Sequence, residues 1–264
     1  MSLRQLFTEI EQDEWVNIPQ GWLQGRTIYG GLVAGMMMQK ALVTIADPAK
    51  RLLSSSVTFV GPVQENQARL TAEILRQGKS VTTIEVRLWQ DNAVQSILIA
   101  SFGTQRESSI QVQQERIAPD YPTPERLAKL PQHAAMPQCY QQFDVCWAEG
   151  NYPCTTSVKP DFGGWFRFNP AQHENDELTV AELMTLLDIW PPGVLPMFQT
   201  LAPASSLTWH VTYVHPVRHQ LYDWFKYKVF TDYAAEGYST EYAHLWDAEN
   251  RLIAISRQTV TVFA

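Results

Sequence analysis

The segment LSSSVTFVGPV, Leu53 to Val63, returns 154 residues later as LTWHVTYVHPV, Leu207 to Val217. Leu53, Val57, Thr58, Val60, Pro62 and Val63 recur as Leu207, Val211, Thr212, Val214, Pro216 and Val217. At the same spacing, Leu98-Ile99-Ala100 recurs as Leu252-Ile253-Ala254. Two blocks in step at one offset make chance a poor account. The chain therefore reads as one module written twice, and any fold proposed for it must accommodate that duplication.

Each copy has the same coarse order. An apolar, helix-like stretch comes first, GGLVAGMMMQKALVTIA in one copy and LTVAELMTLLDI in the other, and strands follow. In TIEVRL, Ile84, Val86 and Leu88 alternate with Thr83, Glu85 and Arg87, the period of a half-buried strand. In DWFKYKV, Phe225, Tyr227 and Val229 share one face, and Trp224, Lys226 and Lys228 the other. The helices are apolar nearly all round, so they have to be wrapped and not merely laid on a surface. An antiparallel sheet curled around one long helix meets that demand. The expected class is α+β, with modules at 1–105 and 139–264 packed as a pseudo-dimer. Between them, 106–138 is polar and proline-studded and reads as a linker holding one helical turn.

Composition excludes several functions. With 20 Lys plus Arg against 27 Asp plus Glu, the net charge is −7, and no basic run marks a nucleic-acid partner. Cys139, Cys146 and Cys154 form an odd set without ligand spacing, as expected of free thiols in a cytoplasmic protein. The N-terminus lacks the apolar core of a signal peptide. The most apolar stretch is broken by Lys40 and falls short of the roughly 20 residues a membrane span needs. His133, His173, His219 and His244 show no ligand-type spacing, and His210 and His215 are expected on opposite faces of one strand, so no metal is expected. Phosphate loops, dinucleotide fingerprints and the Gly-x-Ser-x-Gly nucleophile elbow are absent from the sequence.

One carboxylate stands out. In ELTVAELMTLLDIWPP, Asp188 falls at the end of the second apolar helix, and two prolines follow. An anion at a helix C-terminus is disfavoured, and burial raises its cost and its pKa. Two readings fit: a reagent, or the end of a solvated stripe formed with Glu182 and Thr185. Gly30-Gly31, ahead of the first helix, likewise fits either a plain turn or a helix N-terminus whose free N–H groups receive a developing oxyanion. The Met36-Met37-Met38 run fits core packing or an adaptable acyl tunnel.

The stretches GRTIYGGLVAG, LRQGKSVTTIEV, LLDIWPP, SSLTWHVTYVHP, YDWFKY and RLIAISRQTV together resemble the acyl-CoA thioesterase II family and its thioesterase-like relatives, which adopt the double hotdog fold. The resemblance implies a water held by Asp188, by Ser206 at the start of the following strand, and by Gln258 on the last strand. Ser205 or Thr208 stays open in place of Ser206. Where the family often carries Gln-Glu-Gly, this chain has Gln258-Thr259-Val260. The resemblance further implies acyl-CoA as substrate, bound at Tyr29, Gly30 and Gly31, with no metal or other cofactor. It implies no membrane partner and leaves open homo-oligomers of double-hotdog units. Competing readings are a non-catalytic acyl-CoA-binding protein and a hotdog hydratase or dehydratase, which would need a histidine beside Asp188.

Overall fold

The computed structural model describes residues 1–132 and 136–263. His133, in the expected linker, lies outside the described residues. The first half runs α1 (Leu3–Gln12), β1 (Trp15–Asn17), β2 (Leu23–Gln24), β3 (Thr27–Ile28), α2 (Gly30–Ile45), β4 (Arg51–Phe59), β5 (Gln67–Gln77), β6 (Val81–Gln90) and β7 (Ala93–Gly103). The second runs β8 (Phe143–Gly150), β9 (Phe162–Phe168), α3 (Val180–Leu187), β10 (Ala204–Tyr213), β11 (Phe225–Ala235), β12 (Tyr238–Asp247) and β13 (Leu252–Val262).

The long strands form a single sheet in the order β1-β5-β6-β7-β4-β10-β13-β12-β11-β9-β8. The halves join where β4 pairs antiparallel with β10: Ser54 faces Thr212, Ser56 faces His210 and Thr58 faces Thr208. Ser56 and His210 are separated by the repeat spacing, so the pseudo-twofold axis of the duplication passes through this pair. Their side chains meet there, with Ser56 Oγ 2.8 Å from His210 Nδ1.

The period-two pattern places the core. On β6, Thr82, Ile84, Val86, Leu88 and Gln90 are buried. On β11, Phe225, Tyr227 and Val229 face inward. The opposite face of β11 is covered by the linker stretch 116–126, which crosses it and ends in a 3-10 turn at Pro124–Arg126. Lys226 Nζ donates to the Pro119 carbonyl (3.1 Å), Trp165 Nε1 to that of Pro122 (2.9 Å) and Trp246 Nε1 to that of Arg116 (3.0 Å).

α2 is the long wrapped helix expected from the sequence, with Met36, Met37 and Met38 fully buried. α3 corrects the expectation. It spans eight residues, not the whole of LTVAELMTLLDI, and Asp188 caps it with non-helical angles (φ −91°, ψ 3°). Thr179 starts it late through a capping box with Glu182, and Pro191-Pro192 bar its continuation. Trp190, just past the helix end, is stacked on Tyr227 (5.1 Å, 3°) and packed against Trp147 and Phe162. α1 carries no counterpart in the repeat. A Ser2–Gln5 capping box starts it, and Leu3, Leu6, Phe7 and Ile10 are buried. From it Arg4 pairs with Asp176 and, at 3.0 Å, with buried Glu182 at the N-terminal end of α3.

α2 and α3 run antiparallel at close range. Gly30 lies beside Asp188, Gly31 beside Thr185, and Gly35 beside Thr185 and Ala181. A Cβ on Gly31 would sit 2.5 Å from the Thr185 carbonyl oxygen, so only glycine permits this approach. Glu182 and Thr185 are almost wholly buried, which removes the solvated-stripe reading of that face. Gly35→Ala, whose new methyl meets the Thr185 hydroxyl, is expected to destabilise the chain by about 1–3 kcal/mol. Thr185→Ala in the same chain should recover part of that loss, as a double-mutant cycle of urea unfolding would measure.

Candidate active site

The C-terminal end of α3 meets the N-terminal end of α2, and Asp188 sits at the junction. Helix α3 presents its negative pole to the carboxylate, while α2 presents its positive pole and the Gly31 N–H. This opposed pole offsets the penalty that α3 alone would impose. Gln258 on β13 donates from Nε2 to Asp188 Oδ1 at 2.9 Å. Ser206 on β10 donates from Oγ to Gln258 Oε1, also at 2.9 Å. The serine thus holds the amide with its nitrogen toward the carboxylate.

Local strand geometry explains why Ser206 takes part. β10 carries an irregularity between Ser206 and Thr208, leaving Leu207 as the extra residue against β13. Such a bulge re-aims a neighbouring side chain. The structure brings Ser206 to Gln258, while the Ser205 carbonyl accepts from the Thr261 hydroxyl and Thr208 is exposed. Gln258 shares the inward register of β13 with buried Ser256 and Val260.

Asp188 keeps a partly accessible surface, but its carboxyl is densely surrounded by protein. Desolvation raises its pKa from 3.8 to about 7, against the opposing pull of Gln258 and the Gly31 N–H. Among the described residues, neither a histidine nor a cation pairs with it. Gly30 and Gly31 occupy the first two positions of α2, where helix geometry leaves N–H groups without intrahelical acceptors. Tyr29, the residue before them, is fully buried, and its hydroxyl donates to the Thr185 carbonyl at 2.7 Å. Its side chain therefore pins the two helices together.

Sequence reasoning missed Glu241. It lies on β12 directly across from Gln258, is 4% exposed, and accepts the Gly193 N–H at Oε2 (2.7 Å). The signal was available: Ser239, Glu241, Ala243 and Leu245 share one register, and a carboxylate in an inward register is unusual. No group of three or more metal-ligating side chains occurs among the described residues, and no helix there is long and apolar enough to cross a membrane.

Comparison with known proteins places the chain among thioester hydrolases and identifies its family. The acyl-CoA thioesterase N-terminal domain matches residues 18–103, and the acyl-CoA thioesterase C-terminal domain matches 119–262. The chain belongs to the acyl-CoA thioesterase family. Solved structures agree on the fold. A hot dog fold protein of unknown function from Alicyclobacillus acidocaldarius is 20% identical, with a TM-score of 0.82 over 95% of this chain and 92% of that one. The acyl-CoA thioesterase II TesB2 of Mycobacterium marinum is 18% identical, with a TM-score of 0.72 over 97% of each chain. A tesB protein of Mycobacterium avium subs paratuberculosis is 17% identical, with a TM-score of 0.75 over the full length of both. No curated protein sequence matches the chain.

The buried carboxyl has a consequence for stability. A carboxyl whose pKa is raised on folding binds a proton more tightly in the native state than in the unfolded chain. Its contribution therefore falls as pH rises from about 4 to about 7, then levels off. Asp188→Asn removes the titrating group. Its melting temperature relative to wild type should climb across this window and stay constant above it, as thermal unfolding at a series of pH values would record.

Proposed function

We propose that this enzyme hydrolyses fatty or small acyl-CoA thioesters to the free acid and CoA, with Asp188 as general base toward a water oriented by Gln258 and Ser206. The observation that carries this reading is the hydrogen-bonded line Ser206–Gln258–Asp188 ending at the N-terminus of α2. The chemistry needs a base for water and donors for the developing oxyanion. It needs little acid assistance, because a thiol with a pKa near 8.5 departs readily as the thiolate.

Asp188 takes a proton from water while the water oxygen bonds to the thioester carbon. Negative charge gathers on the carbonyl oxygen. The C–S bond then breaks, and the departing CoA sulfur recovers the proton from Asp188. Gln258 has a second N–H beyond the one given to Asp188, which can fix the water. Gly31 serves the carboxylate, which leaves the Gly30 N–H to meet the thioester oxygen at the positive pole of α2. Tyr29 acts from beneath by holding the start of that helix. A pKa near 7 suits a base that works at neutral pH.

In this reading the chain works as modules 1–105 and 139–264 joined by 106–138, with the reaction at their seam. The three unpaired cysteines favour a cytoplasmic setting. Acyl-CoAs of graded chain length, assayed with a thiol-detecting reagent, test the proposal. Hydrolysis should fall with pH along a limb centred near 7, as protonation consumes the base. Asp188→Asn should lower kcat/KM by about 10²–10⁴ and abolish that limb. A folded Asp188→Asn protein with wild-type turnover would sink the assignment.

A further inference from the structure

Glu241 has no part in the mechanism above, yet it lies under both of its main groups. Its strand register sets it directly across from Gln258. Its Oε2 accepts the N–H of Gly193, at the end of the short descent Ile189-Trp190-Pro191-Pro192 that leaves Asp188. That descent is fixed at few other polar points: the Ile189 N–H reaches the Leu186 carbonyl at 3.4 Å, the Gly193 carbonyl accepts the Asp161 N–H at 3.2 Å, and the Pro192 carbonyl accepts that of Leu195 at 3.0 Å. Between these points the chain is held by apolar stacking, with Trp190 laid flat on Tyr227. A Cβ on Gly193 would sit 2.7 Å from the Thr231 hydroxyl oxygen and 3.3 Å from Glu241 Oε2, so the turn is seated against β11 and β12.

We propose that Glu241 is a positioning residue for hydrolysis: by binding the Gly193 N–H it anchors the segment after α3 and so fixes the orientation of the Asp188 carboxylate relative to Gln258. The inference rests on the reading of Asp188 as the base. A buried carboxyl is a costly way to satisfy one backbone N–H, since the amide of a glutamine would do it without charge. The charge has its own effect. The titratable groups facing Glu241 are Asp188 at the end of α3, Asp161 ahead of β9, and Tyr227 on β11. Those facing Asp188 include Tyr29, Cys139, Tyr140, Tyr227 and Glu241. None of these groups is a cation. Burial, only partly offset by the Gly193 N–H, raises Glu241 to about 7, and the nearby Asp188 adds to the rise. Like charges at the two carboxyls therefore oppose one another.

Two variants separate positioning from charge. Glu241→Ala removes the anchor and is expected to lower kcat by about tenfold or more while KM changes little, because misplacement of a catalytic group by about an ångström carries losses of this order. Glu241→Gln keeps an acceptor for Gly193 and should restore kcat to within about threefold of wild type, with the acid limb moved to lower pH because the opposing charge is gone. Wild-type kcat in Glu241→Ala, or a Glu241→Gln enzyme as impaired as Glu241→Ala, overturns the proposal. Should Glu241→Ala fail to fold, Glu241→Gln decides alone, and a kcat lowered by about tenfold or more in that variant overturns it. Asp188→Asn measured alongside keeps the two readings distinct. An inactive Asp188→Asn with unaffected Glu241 variants removes only the role of Glu241, whereas an active Asp188→Asn removes the base itself.

Discussion

The structure depends on two helix ends of opposite polarity meeting at one carboxylate. Asp188 terminates α3, where it is electrostatically unwelcome, and stands before α2, where it is favoured. Each pole is worth roughly 0.3–1 kcal/mol at a surface and up to about 2 kcal/mol when partly buried, so the second pole offsets the first. With the poles opposed, loss of hydration governs the carboxyl and raises the basicity of Asp188. The arrangement requires close antiparallel packing of α2 and α3, and that packing requires the glycines on α2.

Antiparallel helix packing follows from the duplication. Two like modules related by a twofold axis place their central helices head to tail, and the axis passes through Ser56 and His210 on the joined strands. The sheet is thereby continuous across the seam, so the position of α2 relative to β13 is set by backbone pairing as well as by side-chain packing. A site whose parts come from both halves needs that rigidity, because Gln258 and Gly31 reach Asp188 from different modules.

The features legible in the sequence are those carried by periodicity or by repetition. The offset between Pro62 and Pro216 revealed the tandem architecture, and the alternation around Val86 and Tyr227 identified the core faces. The likeness of LLDIWPP and RLIAISRQTV to a known family singled out Asp188 and Gln258, which the structure places in contact. The choice among Ser205, Ser206 and Thr208 could not be read, since it turns on a bulge at Leu207 that no residue type announces. The length of α3 was overestimated because its apolar pattern begins before the Thr179 cap and runs on through Ile189, which belongs to the descending segment. α1 escaped notice although its Ser2–Gln5 capping box and its period of apolar residues were both present. Glu241 was passed over because a single carboxylate in a strand reads as a surface residue until its register is compared with its neighbours.

Arg4 and Glu182 mark the other end of the helix pair, where symmetry alone would have built a twin of the Asp188 junction. There the start of α3 is closed by its own Thr179 cap and by a basic side chain from α1, an element that the repeat does not contain. The paired helices have two such ends, and at this one an ion pair stands where the other holds the Gln258–Asp188 contact. The two halves are therefore not interchangeable: at the Asp188 junction one lends a helix end, the other the carboxylate, the amide and the hydroxyl. Neither can be lost, doubled or exchanged for its sibling without dismantling the pair.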